Sequence, residues 1–207
     1  MLPERVVLLA SRNVHKYVEA KRIFSAHGLS LALLRVEAPE IQSESLEEIA
    51  KFRALHVARE WRLPVISEDA GLFVDALRGF PGPYSSYVYK TIGCKGLLKL
   101  MEGVEDRSAQ FRSAIAYSDG GSGEPLCFVG VVRGRISTEE RGTRGFGFDP
   151  IFIPDEGDGR TFAEMSTEEK NAYSHRARAV KSFISGIWVG WGANKAFKPA
   201  LHHPLRA

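Results

Sequence analysis

The chain has 207 residues, 44% of them hydrophobic and 26% charged, with a formal net charge of +3, which is typical of one soluble globular domain. So small a charge argues against a nucleic-acid partner, and the absence of a long apolar run argues against a membrane span. The start of the chain lacks the pattern of a secretory signal, and Cys94 and Cys127 have no metal-ligand spacing. We therefore expect a cytoplasmic protein without a disulfide framework or a zinc site.

A strand, a polar loop and a helix are predicted at the start of the chain. The apolar run Val6–Ala10 predicts a buried strand, and helical spacing of apolar residues begins at Tyr17. The loop at 11–16 presents backbone N–H groups at a helix N-terminus, where phosphate binds well. It lacks the glycines of a P-loop, so a Walker-type site is not predicted. The alternative is an ordinary connection capped by Ser11 or Asn13.

The second predicted helix begins at a capping box. Ser45 is its expected N-cap, with Glu48 three residues later, and the helix extends to about Trp61. Arg53 falls on the inward apolar stripe of this helix, where arginine is unusual. Its side chain either extends along the surface or enters a polar cleft, and the sequence leaves both interpretations open.

Two adjacent carboxylates, Glu68 and Asp69, follow a short apolar run at 63–66. The run predicts a buried strand that ends at these acids, with a turn at Gly71. Acids at the mouth of a buried strand require a nearby cation. Mg²⁺, held by carboxylates together with substrate phosphates, is the usual one. A solvated strand end is the alternative interpretation.

The later elements predict a mixed sheet. Short helices are expected at 84–90 and 96–101, and a glycine-rich hairpin loop joins two strands at 110–117 and 126–136. Alternating strands and helices followed by a hairpin indicate an α/β protein with a mixed sheet.

Glycines and aromatic residues alternate at residues 145–150, in the sequence Gly-Phe-Gly-Phe-Asp-Pro. Backbone freed by glycine can approach a planar ligand closely, and a nearby ring can stack on it. The alternative is a tight turn whose phenylalanines belong to the core.

Donor-bearing side chains follow a capping box at residues 166–169. In one continuous helix, Lys170, His175 and Arg176 would point in three directions. A break with Ser174 as the N-cap of a new helix instead puts two of them in a first turn, where an anion or oxygen acceptor is favoured. A basic surface helix is the alternative.

Together these motifs resemble the inosine triphosphate pyrophosphatase family, over about residues 6–183. The motifs that carry the resemblance are Ser11-x-Asn13-x-x-Lys16, Ser67-Glu68-Asp69-x-Gly71-Leu72, Gly145-Phe146-Gly147-Phe148-Asp149-Pro150, and Glu169-Lys170-Asn171 with Ser174-His175-Arg176. The resemblance implies one α/β domain over residues 1–207, with two lobes around a long mixed sheet, flanking helices and the active site in the groove between the lobes.

The activity that the resemblance implies is Mg²⁺-dependent hydrolysis of non-standard purine nucleoside triphosphates by a homodimer. The substrates would be the triphosphates of inosine (ITP), deoxyinosine (dITP) and xanthosine (XTP), and the products the monophosphate and pyrophosphate. A nucleotide-binding module that has lost catalysis, and a related pyrophosphatase with another base preference, are the alternatives.

The resemblance also implies a role for each matching residue. The catalytic residues would be Asp69, Glu68 and Lys16, with Asp69 orienting or deprotonating the attacking water. Mg²⁺ would be bound by Glu40 and Asp69. The triphosphate would be held by Ser11, Arg12, Asn13, Val14, His15, Lys16 and Arg53, with Ala70 nearby. The base would be bound by Phe146, Gly147, Phe148, Asp149, Lys170, His175 and Arg176.

Base choice is expected to follow from hydrogen-bond polarity. Hypoxanthine and xanthine carry an oxygen at C6 where adenine carries an amino group, so donors such as Arg176 and His175 match only the oxygen. Three features depart from the family pattern. His15 stands where many members have glycine, Ala70 replaces a hydroxyl residue, and the tail at 186–207 shows no resemblance.

Overall fold

The computed structural model describes residues 6–193, and the side chains of residues 6–187. The strands are β1 (Val6–Ala10), β2 (Ser30–Leu34), β3 (Val65–Val74), β4 (Pro81–Gly82), β5 (Ser108–Ser118), β6 (Leu126–Ile136) and β7 (Phe152–Pro154). The helices are α1 (Val14–Ala26), α2 (Leu46–Trp61), α3 (Ser85–Thr91), α4 (Gly93–Leu100), α5 (Thr167–Tyr173) and α6 (His175–Ala193). Short 3-10 helices lie at Asp75–Leu77, Asp149–Ile151 and Phe162–Glu164.

The strands form one mixed sheet in the order β2-β1-β3-β5-β6-β7, with β4 paired to β3. β1 is parallel to β2 and β3, whereas the pairs β3–β5, β5–β6 and β6–β7 are antiparallel. The predicted α/β class and mixed sheet are therefore confirmed.

The third strand does not end at its two acids, so the predicted strand end and the predicted turn at Gly71 are wrong. Glu68 pairs with Ile115 of β5 and Asp69 with Ala114, and the ladder continues to Val74. The glycine is needed for a close approach instead: a Cβ on Gly71 would collide with the carbonyl oxygen of Gly82 in β4.

One edge of β3 is open beside the two acids. β1 pairs with β3 only at Ile66, and β4 pairs only with Leu72 and Phe73. Neither strand therefore covers the stretch 67–71 of that edge. Because side chains alternate along a strand, Glu68 and Asp69 point to opposite faces of the sheet at this gap.

Two hydrophobic clusters lie along the face of the sheet that Glu68 shares. One cluster packs α1 and α6 on the sheet and includes Phe24, Ile66 and Val180. The other includes Leu72 and Phe152 and extends toward α3, α4 and β7. On the opposite face, the alanine-rich side of α2 packs on small side chains of β5.

The predicted helix boundaries are confirmed where a side chain caps the backbone. Asn13 caps α1, Ser45 caps α2, and Ser166 with Glu169 forms the capping box of α5. α6 begins directly after Ser174, whose hydroxyl accepts from the Ala177 N–H. Within residues 6–193, no helix combines the length and apolarity needed to cross a bilayer. Residues 194–207 of the predicted tail lie outside the described residues.

Candidate active site

The loop that leaves β1 is ordered by its own side chains. Ser11 is buried, and its hydroxyl accepts from the Asn13 N–H at 3.1 Å. Asn13 Oδ1 accepts from the N–H groups of His15 at 2.9 Å and Lys16 at 3.2 Å. Asn13, one of the two residues that the sequence offered as a cap, is therefore the N-cap of α1. Arg12 pairs with Glu37, with both side chains exposed, and Val14 is exposed as well.

Lys16 extends from the first turn of α1 into the open edge of β3. Its ammonium donates to the backbone carbonyl of Glu68 at 3.1 Å. The same nitrogen lies 2.9 Å from Glu68 Oε2 and 3.8 Å from Asp69 Oδ1. One cation thus bridges the two adjacent acids, although their side chains point to opposite faces.

Glu68 is a buried carboxylate that contacts two cations and one hydroxyl group. Its Oε1 accepts from Ser113 Oγ at 2.6 Å and lies 3.0 Å from Arg176 Nη2. Burial by itself would raise the pKa of Glu68, but the charges of Arg176 and Lys16 lower it well below its usual range. Glu68 is therefore ionised and held fixed at neutral pH.

Nearby positive charges stabilise the ionised form of Asp69 less than they stabilise that of Glu68. Burial, helped by the nearby charge of Glu68, raises the pKa of Asp69 to about 6 against the lowering effects of Lys16 and Arg53. Arg53 enters this polar region from α2, with only 13% of its side chain exposed, and forms an ion pair with Glu40. Of the two interpretations that the sequence left open for Arg53, its low exposure favours the polar cleft.

The structure brings several predicted site residues together but does not gather a three-residue metal cluster. Arg53 and Glu40 both influence the pKa of Asp69, and they form an ion pair with each other. Among the side chains of residues 6–187, no group of three or more His, Cys, Asp or Glu could hold a metal ion. Ala70 is half-buried on β3 and pairs with Ser113 of β5.

A buried ionic network lies beside Glu68. Lys170 Nζ is 2.7 Å from Glu19 Oε1 and 2.6 Å from Asp149 Oδ2, and Arg176 pairs with both Glu19 and Glu68. Lys170 and Arg176 are only 3% and 2% exposed. They are therefore paired with carboxylates on several sides, where the sequence had predicted donors for a ligand.

Glu19 is the member of this network that the sequence analysis missed. Its carboxylate contacts both buried cations, and burial, which would raise its pKa, is outweighed by Arg176 and Lys170, which lower it. A signal was present: Glu19 follows Lys16 by three residues and adjoins Ala20 on the inward stripe of α1. A charge on such a stripe requires a buried partner.

The glycine-aromatic loop has one core ring and one ring that faces the network. Phe148 is buried and packs edge-on against Tyr89 at 5.5 Å. Phe146 is half-buried, and its N–H donates to Asp149 Oδ2 at 2.8 Å. Gly147 has a φ of +62°, and its carbonyl accepts from the Cys94 thiol at 3.6 Å. Burial raises the pKa of that thiol to about 12, so it stays protonated and able to donate.

His175 lies at the start of α6 as predicted, but its ring is buried in an aromatic cluster. It stacks on Phe111, with centroids 4.7 Å apart and planes inclined by 14°. Burial lowers its pKa well below the usual value, and the neighbouring Arg176 and Lys170 lower it further. The imidazole is therefore neutral. It could give or accept one hydrogen bond but supplies no positive charge.

The mixed sheet and its flanking helices define an α/β protein, and a loop between a parallel strand and a helix N-terminus is where proteins of this class commonly bind phosphate. Within that class the chain belongs to the Ham1 family, whose sequence profile matches residues 7–186. The resemblance inferred from the motifs is thereby confirmed.

Relatives named dITP/XTP pyrophosphatase match most of the chain. The dITP/XTP pyrophosphatase of Methanopyrus kandleri is 52% identical over 86% of this chain and 93% of its own length. The dITP/XTP pyrophosphatase of Methanothermobacter marburgensis is 56% identical over the same shares, 86% and 93%.

Solved structures of the family have the same fold. A HAM1 protein from Coxiella burnetii superposes with a TM-score of 0.77 at 32% identity, covering 89% of this chain and 99% of that one. The Ham1 protein of Staphylococcus aureus gives a TM-score of 0.75 at 31% identity, covering 90% of this chain and 100% of that one.

Proposed function

We propose that this protein hydrolyses non-standard purine nucleoside triphosphates, of the ITP, dITP and XTP type, to the monophosphate and pyrophosphate. The observation that carries the proposal is the convergence of Lys16, Glu68 and Asp69 at the open edge of β3. The names of the relatives, dITP/XTP pyrophosphatase at 52% and 56% identity, specify the substrate class.

The cations of the site suit a leaving pyrophosphate. Lys16 is within 3.8 Å of both acids and is 15% exposed, so its ammonium can reach a phosphate at the mouth of the gap. Arg53 supplies a second positive charge once a phosphate competes with Glu40 for it. Charge that develops on the leaving group is thereby stabilised in a region of low dielectric. The backbone of the loop formed by Ser11, Arg12, Asn13, Val14 and His15 would line the rest of the triphosphate site.

Asp69 is suited to orient or deprotonate the attacking water. A pKa of about 6 leaves it ionised at neutral pH yet basic enough to accept a proton. Glu68 is fixed by Ser113 and Arg176, so it holds Lys16 in place and does not exchange protons in this pH range.

The donor set at Asp69 fits Mg²⁺. Two carboxylates, Asp69 and Glu40, together with phosphate oxygens, are the hard ligands that Mg²⁺ prefers. The raised pKa of Asp69 means that its negative charge is under-compensated in this structure, and a cation would relieve it. When bound, Mg²⁺ would neutralise phosphate charge during the displacement.

The loop at 145–150 and the buried network are suited to bind the base. Phe146 offers a ring for stacking, while the backbone of Gly147 and the side chains of Phe148 and Asp149 shape the pocket. Lys170 has three N–H donors, of which Glu19 and Asp149 take two, so one remains for an oxygen at C6. Arg176, paired with Glu19 and Glu68, and His175, stacked on Phe111, would hold these groups in position.

The remaining expectations follow from the family resemblance alone. The protein would be a two-lobed homodimer in the cytoplasm, with the substrate in the groove between the lobes. Light scattering coupled to size exclusion tests the dimer: a mass of twice the 22.9 kDa chain is expected, and a monomer mass would contradict it.

The test is hydrolysis of dITP with Mg²⁺ in ¹⁸O-labelled water. Attack at the α-phosphorus puts the label in the monophosphate and none in pyrophosphate. Label in orthophosphate with a diphosphate product would contradict the proposal. Complete absence of turnover would favour the binding-module alternative.

Matched variants assign the roles. Asp69→Asn should lower kcat by roughly 10² or more, the scale of losing a group that acts in the transition state. Asp75→Asn, an exposed acid at the end of the same strand, should change little. Lys16→Met should likewise be far more damaging than Lys21→Met, which changes an exposed lysine of the same helix.

A further inference from the structure

The side chain of His15 covers the ring that would hold the base. The imidazole of His15 stacks on Phe146, with ring centroids 5.2 Å apart and planes inclined by 22°. This contact joins the loop at 11–16, which we call the phosphate loop, to the loop at 145–150, which we call the base loop. It exists because a histidine occupies a loop position where many members of the family have glycine.

The two rings differ in how firmly they are held. Phe146 is anchored through its N–H by Asp149, and the buried cations of Lys170 and Arg176 lie 5.2 Å and 5.4 Å from its centroid. The His15 side chain is exposed, and only its backbone N–H is tied, to Asn13. Phe146 is therefore a fixed platform, and the imidazole is the partner that can move.

The spacing leaves no room for a base between the rings. Stacked atoms approach to about 3.5 Å, so two rings that sandwich a third stand roughly 7 Å apart. The observed separation of 5.2 Å is that of a direct stack. A purine can use this face of Phe146 only after His15 has left it.

We propose that His15 is an internal competitor for the base: it covers Phe146 in the free protein and is displaced when a purine nucleotide binds. The inference rests on the proposed base-binding role of Phe146. The imidazole is a planar aromatic ring, as the base is, so it keeps water off the platform and returns when the product leaves. The free energy of binding the base is less favourable by the free energy needed to break the His15–Phe146 stack.

The kinetic test separates the base from the phosphates. An aromatic pair is worth about 0.5–1.5 kcal/mol, so His15→Ala should lower the KM for dITP by roughly 2- to 10-fold. Tripolyphosphate has no base, so its Ki as a competitive inhibitor should be the same in wild type and His15→Ala. His15→Phe keeps a ring and should not lower the KM, and Val18→Ala, at an exposed residue of the same helix, is the control.

Two kinetic results would overturn the inference. A KM that is unchanged or raised in His15→Ala would show that the imidazole does not compete with the base. Equal changes in the KM for dITP and the Ki for tripolyphosphate would assign the effect to the phosphate loop.

Nuclear magnetic resonance tests the same inference without turnover. The His15 Cε1–H signal, identified by its loss in His15→Ala, should be shifted upfield by the Phe146 ring and should return to an unstacked position in Phe146→Leu. Adding deoxyinosine monophosphate to wild type should release it in the same way. An unshifted signal, or one that the nucleotide leaves in place, would overturn the inference. Release by the nucleotide in a protein without dITP turnover would keep the inference and reject the proposed function.

Discussion

Glu19 of α1 and Lys170 of α5 lie 2.7 Å apart in the buried centre of the site, although 151 residues separate them in the chain. Glu19 also pairs with Arg176 at the start of α6. The Glu19 carboxylate thus connects α1, which follows the loop at 11–16, to α5 and α6, which carry the buried cations. The positions of these groups depend on each other through Glu19.

Loss of the Glu19 charge should strongly destabilise the fold. Glu19→Gln keeps the size of the side chain but leaves Lys170 and Arg176 short of one buried anion. Breaking a buried pair from one side typically costs about 3–5 kcal/mol, so urea unfolding should show a loss of that order. The control is Glu37→Gln, which breaks an exposed pair with Arg12 and should change stability by less than about 1 kcal/mol. Equal effects of the two substitutions would show that burial of the network contributes nothing.

The ionised form of Asp69 should destabilise the free protein. Its folded-state pKa of about 6 lies above its unfolded value of 3.8, so the folded state binds the proton more tightly. The cost of ionisation is therefore absent below pH 3.8 and complete above pH 6.

Asp69→Asn removes that cost, and in a metal chelator it should raise the free energy of unfolding by about 3 kcal/mol at pH 8. The gain should vanish near pH 3.5. Urea titrations of wild type, Asp69→Asn and the exposed control Asp75→Asn at both pH values measure it. A gain of equal size at both values would contradict the assigned ionisation.

His175 should make the fold sensitive to acid. Its folded-state pKa lies well below 6.5, so below pH 6.5 the unfolded chain takes up a proton that the folded chain does not. Stability must therefore fall as pH falls through this range, with a slope of up to about 1.4 kcal/mol per pH unit from this group.

His175→Phe keeps an aromatic ring against Phe111 and removes the titration. The free energy of unfolding of His175→Phe should thus rise relative to that of wild type from pH 7 to pH 5. His56→Gln, at a more exposed histidine of α2, provides the comparison. A pH-independent difference between wild type and His175→Phe would mean that the ring also titrates in the fold.

Gly71 should tolerate no side chain. A methyl group there would collide with the backbone of Gly82, which has no flexible end to move away. Gly71→Ala is expected to destabilise the protein by about 1–3 kcal/mol, the usual range for overpacking, and to disturb the β3–β4 pairing beside the acids. Gly123→Ala is the control, because a Cβ at that position meets open space. Thermal unfolding measures the effect: Gly71→Ala should have the lower melting temperature, and equal melting temperatures of the two variants would contradict the close approach.

Local signals predicted the helices well. The starts of α1, α2 and α5 depend on capping residues close in sequence: Ser45 and Ser166 were predicted, and Asn13 is one of the two caps that the sequence left open for α1. The break at Ser174 was also predictable, because one continuous helix would have dispersed three donors. Local hydrogen bonds determine these features, so the sequence is sufficient for them.

The end of β3 was not predictable in the same way. Acids and a glycine after an apolar run are typical of a strand end, yet β3 continues because β5 pairs with it residue by residue. The burial of the acids is offset by Lys16, Arg176 and Ser113, which come from three other elements. Partners that are distant in sequence determine this region, and a single sequence does not display them.

The candidate site was predicted as a set of residues but not as a set of contacts. Lys16, Glu68 and Asp69 come together as the motifs suggested. The pairing of Lys170 and Arg176 with Glu19, and the stacking of His15 on Phe146, appear only in the folded chain. Both features change what those side chains offer to a ligand.

The central claim is that the site hydrolyses deaminated purine nucleotides and spares adenine nucleotides. The most direct measurement is a single incubation of wild-type protein and Mg²⁺ with equimolar dITP and dATP, followed by separation of all products. The account predicts that deoxyinosine monophosphate and pyrophosphate accumulate while dATP remains intact. Consumption of both nucleotides at equal rates would contradict it.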